Sequence, residues 1–200
     1  MRKFALLLGL LVLVGAPGNA VTIDFEGTGA PVLFVDATAL RSLGGVTFSG
    51  PDVNDGGAIL NQAGGFGVDA RSGTDFLAFN NGSQLSDGGV PRAPETLSFT
   101  TAVSFVSIWA SDGNGPADVT FEAFDSANAL VASDALTVQP GIWQELSVAG
   151  TDIRSVVISI SGAVGIATFD DLTYVPVPEP GTALLLSMGL AGFGLRRPRP

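Results

Sequence analysis

The side chains that could do chemistry in this sequence are carboxylates and a few aromatic rings. The 200 residues contain no His and no Cys, so no Ser-His-Asp triad, cysteine nucleophile, disulfide or zinc site built from imidazole or thiolate can form. Carboxylates can still hydrolyse glycosides as a pair about 5 to 9.5 Å apart, or bind Ca²⁺ through hard oxygen ligands. Because the sequence assigns that separation to no pair, and no imidazole or core lysine is present to activate a hydroxyl, we expect no enzyme.

The central part of the chain is strongly acidic. Residues 21–176 contain four arginines, no lysine and eighteen Asp and Glu, which gives a formal charge of −14 compared with −10 for the whole chain. Nucleic-acid binding needs a basic surface that displaces phosphate counterions, so we expect no nucleic acid among the partners. Such an acidic surface suits an extracellular protein or one that binds divalent cations.

The first twenty residues have the order of a secretory signal peptide. A positive start at residues 1–3 is followed by an apolar run at residues 4–14 and by small residues at 18–20. The alternative is a buried first helix, but that run would have no polar face to present to water. We therefore predict a signal helix over residues 1–20, with cleavage after Ala20.

The last 24 residues, 177–200, form a second segment with its own pattern. As a helix, its apolar run would be roughly 22 Å long, short of a bilayer core of about 30 Å but long enough to lodge there with arginines at one surface. In order, the segment contains Val177, Pro178, Glu179 and Pro180, the apolar residues 181–195, and an arginine cluster that includes Arg196 and Arg197.

This segment resembles the PEP-CTERM sorting signal in the order of its Pro-Glu-Pro, apolar run and terminal arginines. The resemblance implies processing by an exosortase-type membrane transpeptidase or protease, and transient membrane contact through a short apolar helix. It also implies delivery to the cell surface, outer membrane or extracellular matrix of a Gram-negative bacterium that makes exopolysaccharide. A sortase signal would need Leu-Pro-x-Thr-Gly, which is absent, and a GPI signal ends on its apolar tail. A plain membrane anchor that is never cut is the remaining alternative.

Residues 21–176 have the pattern of short β-strands joined by turns. Apolar and polar residues alternate over residues 97–99, 119–121 and 156–160, and turns rich in Gly, Pro and Asp separate the runs. Since no amphipathic helix of about ten residues is present, the pattern predicts one all-β domain, an antiparallel two-sheet sandwich.

The domain resembles the jelly-roll sandwiches called galactose-binding-like, which are common among surface proteins and carbohydrate-binding modules. In jelly rolls the first and last strands tend to lie together, which would bring Glu26 close to Asp170 and Asp171. Four short pieces carry the resemblance: residues 23–27, 45–48, 141–144 and 169–172.

On that resemblance, Glu26, Asp170 and Asp171, with carbonyl oxygens of residues 27–29, would hold a structural Ca²⁺ that ties the ends of the domain together. Neighbouring residues of a strand point to opposite faces, so only one aspartate, preferably Asp170, reaches the ion unless a bulge intervenes. The alternative is that these acids cap turns or face solvent.

A second acidic loop, Asp112-Gly113-Asn114 with Asp118, also offers oxygen ligands at alternate positions. It lacks the terminal bidentate Glu of an EF-hand. We therefore favour a simple hairpin turn at this loop.

Trp109, Trp143 and Tyr174 are the side chains that could stack on a sugar ring. Trp109 shares a face with Val103 and Phe105 in a core-like pattern and is predicted to be buried. Trp143 stands beside a Pro-Gly turn and is the candidate ligand-binding residue.

The sequence therefore predicts an exported, non-enzymatic protein of the cell surface or exopolysaccharide matrix, sorted through its C-terminal signal. The alternative is a carbohydrate-binding module with a discrete sugar site, which requires an exposed aromatic such as Trp143. The two differ in whether retention on exopolysaccharide depends on the sorting tail or on the domain.

Overall fold

The described part of the chain consists almost entirely of β-strands. The computed structural model describes residues 18–33, 42–51, 56–79, 94–162 and 167–178. A single 3₁₀ turn, Gln62–Gly64, is the helical element within these ranges. The strands are β1 Val21–Ile23, β2 Val32–Leu33, β3 Ser42–Leu43, β4 Val46–Ser49, β5 Ala58–Asn61, β6 Asp75–Ala78, β7 Glu95–Asp112, β8 Ala117–Phe124, β9 Leu130–Val138, β10 Gln144–Gly162 and β11 Ala167–Pro176.

The strands form one antiparallel, hydrogen-bonded sheet that folds back on itself. The order is β2-β5-β6-β11-β7-β10-β8-β9, with β1 beside β11 and the β3–β4 hairpin beside β7. The hairpin closes on Gly44 and Gly45, which both have positive φ, as a two-residue hairpin loop requires.

The long strands β7 and β10 pass through both layers of a sandwich. The first part of β7 pairs with β4 and with the second part of β10, whereas its second part pairs with β11 and with the first part of β10. The β10–β7 register shifts between Ala149 and Ile153, and strands that change layer do so at such irregularities. The predicted all-β, antiparallel two-sheet sandwich is confirmed.

One apolar core lies between the layers. The first layer contains β1, β2, β5, β6 and β11, and the second contains β3, β4, β8 and β9. Phe79 of the first layer contacts Phe169 at 5.1 Å between ring centroids, and Phe25 contacts Phe48 of the second layer at 6.2 Å. Aromatic pairs at these separations add to the stabilisation that burial provides.

The prediction that Val103, Phe105 and Trp109 share the core face of β7 holds for Val103 and is wrong for Phe105 and Trp109. Val106 and Ile108 are fully buried, whereas Phe105 and Trp109 are only half-buried. The reason is a bulge, since Val175 and Pro176 of β11 pair with Phe105 and Val103 and leave one residue of β7 unpaired between them. That extra residue reverses which side chains face the core, so Trp109 lies on the outer face of the first layer.

Strands β5 and β6 are buried on both faces. Their outward side chains, Leu60 and Phe76 among them, form a second apolar cluster with Val68. Val68 belongs to the connection between β5 and β6, residues 62–74, which therefore covers part of the outer face of the first layer.

All the strands belong to one unit, Asn19–Val177. Within the described ranges, no helix has the length and apolar character needed to cross a bilayer. The predicted signal helix lies outside the described residues except for its last three, 18–20, and the predicted C-terminal helix over residues 181–195 lies wholly outside them.

Candidate functional site

The structure places the three predicted metal ligands around one short segment of the β5–β6 connection. Strand β1 pairs with β11 so that Ile23 lies opposite Leu172, and Glu26, just after β1, therefore reaches the same segment as Asp170 and Asp171. Each of the three carboxylates binds a part of residues 71–75, which lead into β6. We call residues 71–75 the acid-bound segment.

Glu26 binds the C-terminal half of the acid-bound segment. Its Oε1 accepts hydrogen bonds from the backbone N–H groups of Thr74 and Asp75, both at 2.7 Å. Phe25 has φ of 61°, in the left-handed region. This bend lets the Phe25 ring enter the core while the next side chain, Glu26, reaches across to residues 74 and 75.

Asp170 binds the N-terminal half of the acid-bound segment from a fully buried position. Its Oδ2 accepts from the backbone N–H groups of Arg71 and Ser72 at 2.9 and 3.0 Å, and its Oδ1 accepts from that of Asp171 at 2.7 Å. Burial raises the pKa of Asp170 to about 6, because the loss of hydration outweighs the stabilisation of the carboxylate by these donors.

Asp171 reaches the same segment because β11 has a bulge at this point. Its φ is 48°, and the β11–β7 register shifts between Asp170 and Thr173. The two neighbouring aspartates therefore do not point to opposite faces. Asp171 pairs with the guanidinium of Arg71 and accepts from Ser72 Oγ at 2.8 Å.

Arg71 also joins the segment to the outer face of the first layer. Asp170 and Trp109 are cross-strand neighbours in the β11–β7 pair, and the guanidinium carbon of Arg71 lies 3.9 Å from the centroid of the Trp109 ring. A cation at this distance over an indole is attracted by the ring. Trp109, predicted to be buried, is instead half-buried beneath Arg71.

The geometry shows these carboxylates acting as hydrogen-bond acceptors. Both oxygens of Asp170 and both of Asp171 accept hydrogen bonds. The donors belong to the acid-bound segment, except for the Asp171 N–H, which donates to Asp170 Oδ1. Among the residues that the structure describes, no three Asp or Glu side chains form a group that could hold a metal ion. A calcium site at Glu26, Asp170 and Asp171 stays a prediction.

The second acidic loop is divided between two places. Asp112 ends β7 and its Oδ1 accepts from the N–H groups of Asn114 and Gly115, whereas Asp118 binds Thr137 of the neighbouring β9 at 2.6 Å. The loop is a turn but not the predicted hairpin, because β10 lies between β7 and β8 in the sheet.

Trp143, the predicted sugar-binding residue, packs against the protein. It is half-buried beside the second apolar cluster, and its indole N–H donates to the carbonyl of Asp69 at 3.1 Å. Trp143 thus holds the β5–β6 connection at a point just before the acid-bound segment.

An open groove of about 340 Å³ is lined in part by the first residues of the β5–β6 connection. The ring of Phe66, edge-on to Phe76 at 5.9 Å between centroids, forms one wall. The side chain of Asn61 is held by Asp75 and by the N–H of Ala63. The groove is lined by Ala30, Pro31, Asn61, Ala63, Gly64 and Phe66.

Sequence reasoning missed the residues that receive the carboxylates. Arg71 and Ser72 lie 98 to 100 residues from the aspartates they bind, so no local pattern connects them. A local signal did exist for Gly73: the run Arg-Ser-Gly-Thr-Asp is typical of a turn, and Gly73 has φ of 58°.

Comparison with known proteins identifies the C-terminal segment. Residues 176–199 match a protein family described as the PEP-CTERM protein-sorting motif. The chain is thus an exported, cell-surface protein, and the motif implies processing by an exosortase. Pro176 ends β11 and the Val177 N–H donates to the carbonyl of Ala102, while Glu179, Pro180, Arg196 and Arg197 lie outside the described residues. No curated protein sequence matches the chain.

Solved structures with a similar fold include an adhesin domain and carbohydrate-binding domains. The K2 cleaved adhesin domain of Lys-gingipain is 12% identical, with 78% of this chain and 99% of that chain covered and a TM-score of 0.46. The module TmCBM61 in complex with beta-1,4-galactotriose is 12% identical, with coverages of 68% and 90% and a TM-score of 0.44. The CBM22-1 xylan-binding domain from Paenibacillus barcinonensis is 14% identical, with coverages of 82% and 99% and a TM-score of 0.42.

Proposed function

We propose that the sandwich is a non-catalytic domain of the exopolysaccharide matrix, held there through its sorting tail. The observation that supports this proposal is the use of the candidate acids. Asp170 has the raised pKa that a glycosidase acid needs, but it is fully buried and its oxygens accept three backbone N–H groups. A carboxylate held in this way serves to fix a loop and has no access to a substrate.

Deleting the tail tests this proposal in the producing cell. The full chain and a chain that ends at Pro176 are expressed with the same signal peptide, and each is measured in the matrix, cell-surface and medium fractions. We expect the truncated chain to move to the medium, because the domain alone has no means of retention. Equal matrix fractions for the two chains would contradict the proposal.

A carbohydrate-binding site is the second candidate, and the groove beside Phe66 favours it. Its volume lies within the range of small-molecule sites, and an aromatic wall next to apolar residues suits the apolar face of a sugar ring. The hydrogen bonds that fix Asn61 would hold the groove in shape before a ligand binds. On this reading the binding aromatic is Phe66, and Trp143 supports the fold.

Binding to the organism's own exopolysaccharide separates the two candidates. Purified protein covering residues 21–176 is tested for retention, with Phe66→Leu as the variant that keeps an apolar contact to Phe76 but removes the ring. Retention by the native domain and its loss in Phe66→Leu would support the sugar site. Absence of retention in both would support the tail as the functional element.

A further inference from the structure

Three buried side-chain oxygen atoms without a hydrogen-bond partner lie where β7 ends and β10 begins. One is the hydroxyl of Ser111, and the other two, on Asp112 and Gln144, can only accept a hydrogen bond. Asp112 is fully buried. Its Oδ1 accepts from Asn114 and Gly115 N–H groups at 2.8 and 2.9 Å, but its Oδ2 has no partner, and neither has Oε1 of Gln144. Buried polar atoms of this kind are uncommon in folded proteins, and each one calls for an explanation.

The sheet register places these two side chains on the same face. Gln144 lies opposite Ala110 in the β10–β7 pair, and Ala110 points into the core. Asp112, two residues further along β7, points the same way. The two residues are diagonal cross-strand neighbours, whose backbones are about 7–8 Å apart. Their side chains therefore extend toward the same end of the core.

Two turns, one before β10 and one after β7, contact Asp112 at this end of the sandwich. Gly141 N–H donates to the carbonyl of Asp112 at 2.9 Å, and Asp112 forms an isolated bridge with Pro140. The turn after β7, residues 113–116, folds back onto the same residue, since the Asn114 and Gly115 N–H groups donate to the Asp112 carboxylate.

The unpartnered atoms of Asp112 and Gln144 are both acceptors, so what they lack is a positive or proton-donating group. Asp112 takes part in neither of the two ion pairs formed among the described residues, which join Arg71 to Asp171 and Arg154 to Asp152. A buried carboxylate is stable when it is paired or coordinates a metal. A cation between the two side chains would satisfy both oxygens at once.

We propose that Asp112 Oδ2 and Gln144 Oε1 are ligands of a structural calcium ion. Carboxylate, side-chain amide and backbone carbonyl oxygens are the ligands that Ca²⁺ takes. The ion would join the end of β7 to the start of β10 and close the core between the two turns. Neither of these two ligand residues belongs to the acid-bound segment or lines the groove.

Thermal unfolding of the mature chain in calcium and in chelator tests the proposal. A calcium concentration of a hundred times the Kd should raise the Tm by roughly 5–10 °C, with a much smaller effect of magnesium. Asp112→Asn should abolish the shift, since it removes the charge and keeps the shape. Asp118→Asn, the matched control on the exposed face of the next strand, should leave the shift intact.

Gln144 supplies a test that does not depend on Asp112. Gln144→Met removes the amide oxygen at nearly constant volume and should weaken calcium binding. Gln144→Glu places a second carboxylate at the site, so its Tm should fall in chelator and recover in calcium. Terbium luminescence sensitised by Trp143, the residue before Gln144, should show the same weakening of ion binding in Gln144→Met.

Three results would overturn the proposal. The first is a native Tm that calcium does not change. The second is a calcium shift that survives in both Asp112→Asn and Gln144→Met. The third is a shift that Glu26→Gln abolishes while Asp112→Asn retains it, which would place the ion at the acid-bound segment.

Discussion

The substitution Gly73→Ala tests whether the Glu26 carboxylate holds the acid-bound segment. A Cβ added to Gly73 would lie within 3.0 Å of three side-chain atoms of Glu26, a separation that real Cβ atoms essentially never show. Glu26 can move away only by giving up the N–H groups of Thr74 and Asp75. Gly73 also has a φ of 58°, where a side chain costs about 1–2 kcal/mol.

The expected loss of stability has two parts that can be separated. Displacing Glu26 from its two partly exposed hydrogen bonds should cost about 1–3 kcal/mol, so Gly73→Ala should lower the free energy of unfolding by about 2–5 kcal/mol in all. Gly65→Ala is the matched control, because Gly65 has a φ of 74° and open space where its Cβ would lie. Gly65→Ala should therefore lower the free energy of unfolding only by the cost of a side chain in the left-handed region, about 1–2 kcal/mol.

A double-mutant cycle measured by urea unfolding of the mature chain gives the decisive comparison. In a Glu26→Ala background the steric conflict is gone, and Gly73→Ala should cost no more than Gly65→Ala does. The coupling between positions 26 and 73 should then be about 1–3 kcal/mol, with an unchanged m-value. Additive effects, or equal costs of Gly73→Ala and Gly65→Ala in the native background, would refute the role assigned to Glu26.

Two further measurements probe the same layer. The folded-state pKa of Asp170, about 6, lies above the ordinary aspartate value of 3.8, so the folded protein takes up a proton first as the pH falls. The free energy of unfolding should therefore rise by about 2 kcal/mol relative to Asp170→Asn between pH 7 and pH 4, and equal pH profiles for the two proteins would contradict this. Trp143→Phe loses the hydrogen bond to Asp69 and should lower the free energy of unfolding in urea by about 1 kcal/mol. Trp143→Ala should lower it by about 3 kcal/mol; an unchanged stability in Trp143→Ala would show that Trp143 has no structural role.

The sandwich could be predicted because its strands follow local rules. The alternation at residues 119–121 and 156–160 matches the burial of Val119, Phe121, Val156 and Ile158, and β8 and β10 pair in this register. Alternation of this kind depends only on the geometry of an extended chain with one buried face. The prediction needed no knowledge of distant contacts.

Bulges explain why Trp109 and the two aspartates were harder to place. One extra residue of β7 between Val103 and Phe105 moved Trp109 to the outer face, and the irregularity at Asp171 turned both aspartates toward one segment. A bulge changes the phase of every residue that follows it. Neither bulge contains a glycine. At position 171, a glycine would have signalled the left-handed backbone.

The place where the sorting motif begins bears on how the domain could be held by its tail. The motif starts at Pro176, the last residue of β11. Strand β11 has β1 and β7 on its two sides at Thr173 and Tyr174, and β6 and β7 on its two sides at Thr168 and Phe169. A pull along the tail must therefore shear hydrogen bonds on both sides of β11 at once, whereas an edge strand would be peeled from one side.

The acid-bound segment adds a further attachment to β11, because Asp170 and Asp171 bind Arg71 and Ser72. In a chain without cysteine, these non-covalent contacts take the place that a disulfide could fill in fixing the last strand.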